Sequence, residues 1–235
     1  MSTFLELCQD VARESGTFPT IGEPATTAGA TNRALRVVNW TRTAYNQIQR
    51  ARREWRWLRT DFSGTTTAGL QTYGPAAMGI DSRFGRWVHF GENERAAFTV
   101  YLTATGQADE RFMEYIEWED FRNSVLFGGA ASTTGYPQYI SVNDQRELVL
   151  YPTPDDAYTL KGRYVKGLQT LSADADVPEM PEQFHEAIVW KALMLLGQFD
   201  EAFNQDPLWR MNYNEVFDAL IHDQLPDVLT AEPLA

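Results

Sequence analysis

Apolar positions along the chain change period twice, and the two changes divide it. From Thr3 to Glu14 the residues Phe4, Leu7, Cys8 and Val11 recur at helical spacing, and Gly16 supplies a stop. A loop rich in Pro, Gly and Thr follows, "TFPTIGEPATTAGA". Thr31 is then a plausible N-cap for a long helix reaching about Trp57. Leu35, Val38, Tyr45, Ile48, Trp55 and Leu58 step by three or more residues and make its stripe.

Between Asp61 and about Val177 the helical period gives way to short runs of aromatic and β-branched residues bounded by glycine, such as "GRWVHFG" and "AAFTVYLTA". One helix is expected inside this region, over "ADERFMEYIEWEDFRNSVLFGG", ended by its paired glycines. Three strands follow, "PQYISV", "ELVLY" and "YTLKGRY", read as an antiparallel meander with one packed and one wet face. Leu148 and Leu150 share the packed side, as do Leu160, Gly162 and Tyr164, while Thr159, Lys161 and Arg163 point to water.

Past Val177 the helical period returns. Pro181 suits a first helical position, and "AIVWKALMLLG" beyond it is apolar almost all round, which predicts a buried central helix reaching Phe203. Asp206 and Pro207 open a second helix with the stripe Leu208, Trp209, Tyr213, Val216, Phe217, Leu220 and Ile221. The short connection makes the pair antiparallel neighbours. These helices and the long N-terminal one need each other to bury their stripes. The expectation is an α+β chain: a bundle from residues 1–60 and 178–225, a β-rich insertion with one helix over 61–177, and a C-terminal tail over 226–235.

Composition narrows the function classes. The chain has 235 residues, is 43% hydrophobic and 22% charged, and carries a net charge of −12. Such an acidic balance argues against general phosphate-backbone binding. The charge is segregated, however. Between Thr31 and Thr60 the arginines Arg33, Arg36, Arg42, Arg50, Arg52, Arg53, Arg56 and Arg59 face Glu54 alone. From Asp174 to Glu232 a run of acids faces only Lys191 and Arg210. Cys8 is the one cysteine and reads as a small buried residue, so a reducing compartment is expected, with no leader at the N-terminus and no run able to span a bilayer.

Little points to chemistry. His89, His185 and His222 have no second ligand at metal spacing, and no nucleophile elbow or phosphate-cradling glycine loop is present. "GGAASTTG" neither follows a buried strand nor opens a helix. Glu114, Glu117, Glu119 and Asp120 could in principle supply the carboxylate pair of a glycoside hydrolase, but acids on a solvated helix face explain them as well. Arg50, Arg52, Arg53, Arg56 and Arg59 with Trp55 and Trp57 are consistent with a subunit or partner interface, with a plain scaffold helix, or with a nucleic-acid surface.

The order of these pieces resembles the head-to-tail adaptor proteins of tailed bacteriophages, also called connector or head-completion proteins. The likeness rests on the arginine-rich helix ending in "REWRWLR", the β-rich insertion, the strands "ELVLYPTP" and "YTLKGRY", the linker "L-x-x-D-x-D-x-P-x-x-P" and the helix after it. It covers about Phe4 to Leu225. The resemblance implies a bundle with an inserted β domain, no catalysis and no cofactor. It also implies a ring of about twelve copies beneath the portal protein, in the neck of a virion assembled in a host cytoplasm. Such a ring extends the DNA channel, lets DNA pass without sequence-specific binding, and offers a platform to tail or nozzle proteins. By the same resemblance the segment with Leu225, Val228, Leu229 and Leu234 would dock on the portal.

Overall fold

The computed structural model describes residues 2–16, 24–80, 82–90, 97–200 and 204–225. It is α+β, and the chain divides into two compact units, Met1–Leu58 with Leu168–Ala235, and Arg59–Gly167.

The first unit is helical. α1 (Phe4–Glu14) opens with a capping box: the Thr3 hydroxyl accepts from the Glu6 N–H, and the Glu6 carboxylate accepts from the Thr3 N–H. α2 (Asn32–Ala51) buries Val37, Val38, Thr41, Ala44, Tyr45 and Ile48 along one side. After the second unit come α4 (Glu186–Asp200) and α5 (Asp206–Gln224). α4 packs against α1, α2 and α5, and its Ala187, Ile188, Val189, Ala192, Leu193, Met194 and Leu196 are all buried, as its uniformly apolar sequence demands. Pro181 sits one position earlier than expected, capping a 3-10 turn (Glu182–Phe184) that leads into α4. The expected end of α4 at Phe203 falls outside the described residues.

Residues 168–177, expected in the β-rich insertion, lie in the helical unit, and a polar network explains why. Gln49 and Gln169 exchange bonds, side chain to backbone in both directions, at 2.8 and 2.9 Å. The Tyr45 hydroxyl donates to Gln169 Oε1 at 2.7 Å, and the Glu179 N–H donates to both. Around this anchor the Asp176 carboxylate accepts from Ser172 and Ala173 N–H, while Asp174 accepts from the Thr26 hydroxyl and from Thr27. The backbone N–H groups of Phe4 and Leu5 donate to the carbonyls of Asp176 and Asp174. The acidic linker thus fastens α1, the loop before α2 and α2 itself.

The second unit contains β1 (Arg59–Thr65), β2 (Thr72–Tyr73), β3 (Phe84–Val88), β4 (Thr99–Leu102), β5 (Arg111–Phe112) and β6 (Glu114–Tyr115). It continues with α3 (Trp118–Ser124), β7 (Thr134–Gly135), β8 (Tyr139–Val142), β9 (Leu148–Tyr151), β10 (Thr153–Pro154) and β11 (Tyr158–Lys166). A five-stranded sheet runs β1-β11-β4-β5, with β3 also on β11; a four-stranded sheet runs β2-β9-β8-β6; β7 and β10 form a small parallel pair. The two larger sheets share one core, with Phe62, Phe98, Val100 and Leu160 from the first and Tyr73, Ile140, Leu148 and Leu150 from the second. Gly162 lies where a Cβ would come within 2.6 Å of the Phe98 ring, so the aromatic core requires glycine there.

Two expectations are corrected. The three-strand meander does not form, because β8 and β9 pair in one sheet while the chain crosses at β10 and β11 joins the other, paired along its length with β1. The helix expected from Ala108 to Gly129 shrinks to α3. Residues ahead of it become the edge strands β5 and β6, one in each sheet, with the fully buried Met113 at the crossing. Pairing with β4 and β8 satisfies this backbone better than an isolated helix would, and tertiary context overrides the local period.

Two outcomes test this packing. Gly197 on α4 faces Trp209, whose ring carbon lies 2.7 Å from where a Cβ would stand. Gly197→Ala should lower the urea midpoint of the helical signal: overpacking costs on the order of 1–3 kcal/mol and outweighs a helix-propensity gain of about 1 kcal/mol. A raised midpoint would contradict the close approach. Hydrogen bonds from Thr27 hold Asp174 below the ordinary carboxylate range, and backbone bonds from Ser172 and Ala173 do so for Asp176. Depressed folded-state values stabilise above the unfolded pKa, so this contribution is lost as pH falls below about 4. Thermal melts between pH 7 and pH 3 should show a smaller acid-induced drop for Asp174→Asn than for the parent; an equal drop would exclude this anchor.

Candidate interaction surfaces

The arginine-rich segment is not one helix. α2 ends at Ala51 because Arg52 is extended (φ −138°, ψ 149°), and a 3-10 turn covers Arg56–Leu58. The cause is Trp55. Its indole Nε1 donates to the carbonyls of Ile48 and Gln49 at 3.2 and 3.1 Å, satisfying acceptors that a continuing helix would have used. Its ring stacks on Trp57 at 4.3 Å and meets the edge of Phe217 on α5 at 6.1 Å. Trp55, expected at an interface, is fully buried and has no surface for a partner. Trp57 is half-buried, and its Nε1 is buried with no hydrogen-bond partner among the described residues.

The arginines divide differently. Arg50, Arg52, Arg53 and Arg56 are exposed, and Arg56 donates to the Asp223 carbonyl at 3.5 Å. Arg59 is half-buried and begins β1, in the other unit. Of the docking residues expected in the tail, Leu225 is half-buried as the C-cap of α5, and Val228, Leu229 and Leu234 lie outside the described residues.

The carboxylates considered for hydrolysis do not converge. Glu114 sits on β6, Glu117 precedes α3, and Glu119 and Asp120 occupy its first turn, all exposed. Glu119 pairs with Arg122 at 3.7 Å, and Glu117 accepts weakly from the Tyr115 hydroxyl at 3.4 Å. A basin of about 490 Å³ lies elsewhere, on the outer face of the five-stranded sheet, lined by Asp61, Ser63, Thr99, Lys161 and Arg163. Its charges are matched in place: Arg163 Nε donates to Asp61 at 2.8 Å, Lys161 reaches Glu110 at 3.3 Å, and Thr99 donates to Glu110 at 2.6 Å. This is a wet sheet face whose charges are paired across strands.

His89, His185 and Cys8 lie in packed surroundings. His89 stacks on Tyr115 at 4.3 Å and burial pushes its pKa down. The buried His185 ring lies 2.9 Å from the Met180 carbonyl, and its pKa is also lowered by burial. His222 is exposed. Burial raises the Cys8 thiol to about 11, which leaves it unreactive. No group of His, Cys, Asp and Glu able to hold a metal occurs among the described residues, and no helix among them is long and apolar enough to cross a membrane.

Exposed apolar side chains are what the sequence reading missed. In the helical unit Leu35, Phe199, Leu208 and Met211 stand in solvent; in the β unit Phe90, Phe112 and Phe127 do. Leu35 and Leu208 continue their helical stripes in sequence, but each lies at a helix start where the stripe runs past the core. Phe127 beside paired glycines was the one legible signal, an aromatic residue in a turn-rich stretch. Such residues are typical anchors of protein contacts.

A comparison with curated proteins found none that matches the chain. A family model described as SU10 adaptor protein matches residues 2–232, a span that takes in both units. The scattered carboxylates and the exposed apolar contacts agree with a structural role. The chain belongs to the SU10 adaptor protein family, a family of bacteriophage adaptors.

Proposed function

We propose that this adaptor works as a ring of about twelve copies between portal and tail, lengthening the DNA channel and carrying no catalytic step. The observation that carries this reading is the family match over residues 2–232, because it spans the helical unit and the β unit together. Family membership ties the protein to the virion neck and to portal and tail proteins. In this reading the tail segment with Leu225, Val228, Leu229 and Leu234 docks on the portal, and the arginines Arg50, Arg52, Arg53 and Arg56 serve contacts with neighbours. The β unit offers Phe112 and Phe127 to tail proteins. Exposed aromatic side chains there fit a recognition surface better than a lumen lining, since DNA passing through a channel is best served by walls that do not bind it.

Charge sets the conditions of assembly. Each copy carries −12, so twelve carry on the order of −144, and that repulsion opposes a free ring. At low salt the isolated protein should therefore run as a monomer in light scattering and form rings only when mixed with its portal protein, as seen by electron microscopy. A stable ring of the lone protein at low salt and low concentration would contradict this. On a peptidoglycan zymogram the parent protein should leave no clearing; a cleared band lost with Glu117→Gln would instead establish hydrolysis.

A further inference from the structure

Two helices of the helical unit present outer faces that fit one another, and α4 holds them on opposite sides. Phe199 of α4 meets Trp40 of α2 at 5.6 Å and lies 4.2 Å below the Arg36 guanidinium. Gly197, two residues earlier, faces Trp209 of α5. Two residues are about 200° apart around a helix, so α2 and α5 flank α4 from nearly opposed directions.

The two flanks also run the same way. The first turns of α2 meet the end of α4 at Phe199, and its later residue Tyr45 bonds the Glu179 N–H ahead of α4. The first turns of α5 meet the same end of α4 through Trp209, and Lys191, further back on α4, sits 5.0 Å from the Tyr213 ring. Both helices are antiparallel to α4 and therefore parallel to each other.

Their outer stripes match in order and oppose in sign. α2 contains arginines and no acid; its outer face starts with Leu35, 43% exposed, and ends with the exposed Arg50. On α5, Leu208, Met211, Glu215 and Asp218 follow at i, i+3, i+7 and i+10, a single face that begins apolar (54% and 59% exposed) and continues acidic. Laid side by side in parallel with Leu35 level with Leu208, the apolar starts would meet, and the acidic stretch of α5 would lie along a helix that holds arginines and no acid. Leu35, Arg50, Leu208, Met211, Glu215 and Asp218 are all exposed in the single copy. A second copy of this chain supplies the complementary face in the required direction, and two different faces pointing nearly opposite ways make a head-to-tail contact, which closes into a ring where its rotation allows and does not make a two-fold dimer.

We propose that the outer face of α2 in one copy packs in parallel against the outer face of α5 in the next, and that this contact is the repeating joint of the assembly. The proposal rests on the ring reading above and assigns its subunit contact.

Cysteine pairing tests it. In a chain carrying both Leu35→Cys and Leu208→Cys, mixed with its portal protein and oxidised, a ladder of covalent multimers should appear on a non-reducing gel. Either single variant should remain monomeric, and the buried Cys8 stays silent. Rings seen by electron microscopy without a ladder, or a dimer from Leu35→Cys alone, would overturn the joint while leaving the ring intact. Absence of rings from the parent protein would remove the ring reading and the joint together. Charge reversal gives an independent readout: Glu215→Arg with Asp218→Arg in one chain should cut ring yield about tenfold. An unchanged ring yield would count against the pairing.

Discussion

Everything in the helical unit depends on covering α4. Its sequence offers almost no polar side, so no single neighbouring helix can bury it. α5 follows it directly and covers one flank; α1 and α2 must cover the rest. A chain built this way has to bring its two ends together around one element. The β unit is tolerated between them because its own core, from Phe62 to Leu160, closes on itself.

That constraint also explains why the linker is polar yet ordered. Residues from Gln169 to Glu179 lead the chain to α4, and Gln49 and Tyr45 both bond Gln169, so that the Gln169 N–H and carbonyl and the Glu179 N–H each have a partner. Asp174 and Asp176 do the same for the chain around them. The acids that look like surface charge in the sequence are in part the fastening of the N-terminal helices. Glu215, Asp218 and Asp223 on α5 are exposed and, with the arginines of α2, give the unit its two-signed surface.

Much of this was legible in the sequence. α1 and α5 follow from period, α4 from a run that is apolar almost all round, and the packed side of β9 from its alternation. The end of α2 was not, because Trp55 and Leu58 keep roughly helical spacing while the indole cap that stops the helix is a tertiary contact. Residues 111–115 were unreadable for a related reason: two-residue edge strands have too few positions to show a period of two, and Met113 resembles a helical core residue until the sheets are in place. The carboxylates beside them lost their shared helical face with that change. Trp55 drew attention as an interface residue by type, and only burial could show that it belongs to the core. The solvent-facing starts of α2 and α5 escaped notice because a stripe in sequence does not say where the core ends.

These findings describe an adaptor whose chemistry is contact: buried apolar side chains fix each unit, and paired charges on the sheet face leave few groups seeking a ligand. Hydrogen exchange read by mass spectrometry tests the central constraint most directly. Amides of α1, α2, α4 and α5 should gain deuterium together, at one slow rate set by opening of the whole unit. If α1 and α2 exchange freely while α4 and α5 stay protected, the C-terminal hairpin buries α4 by itself and the account is wrong.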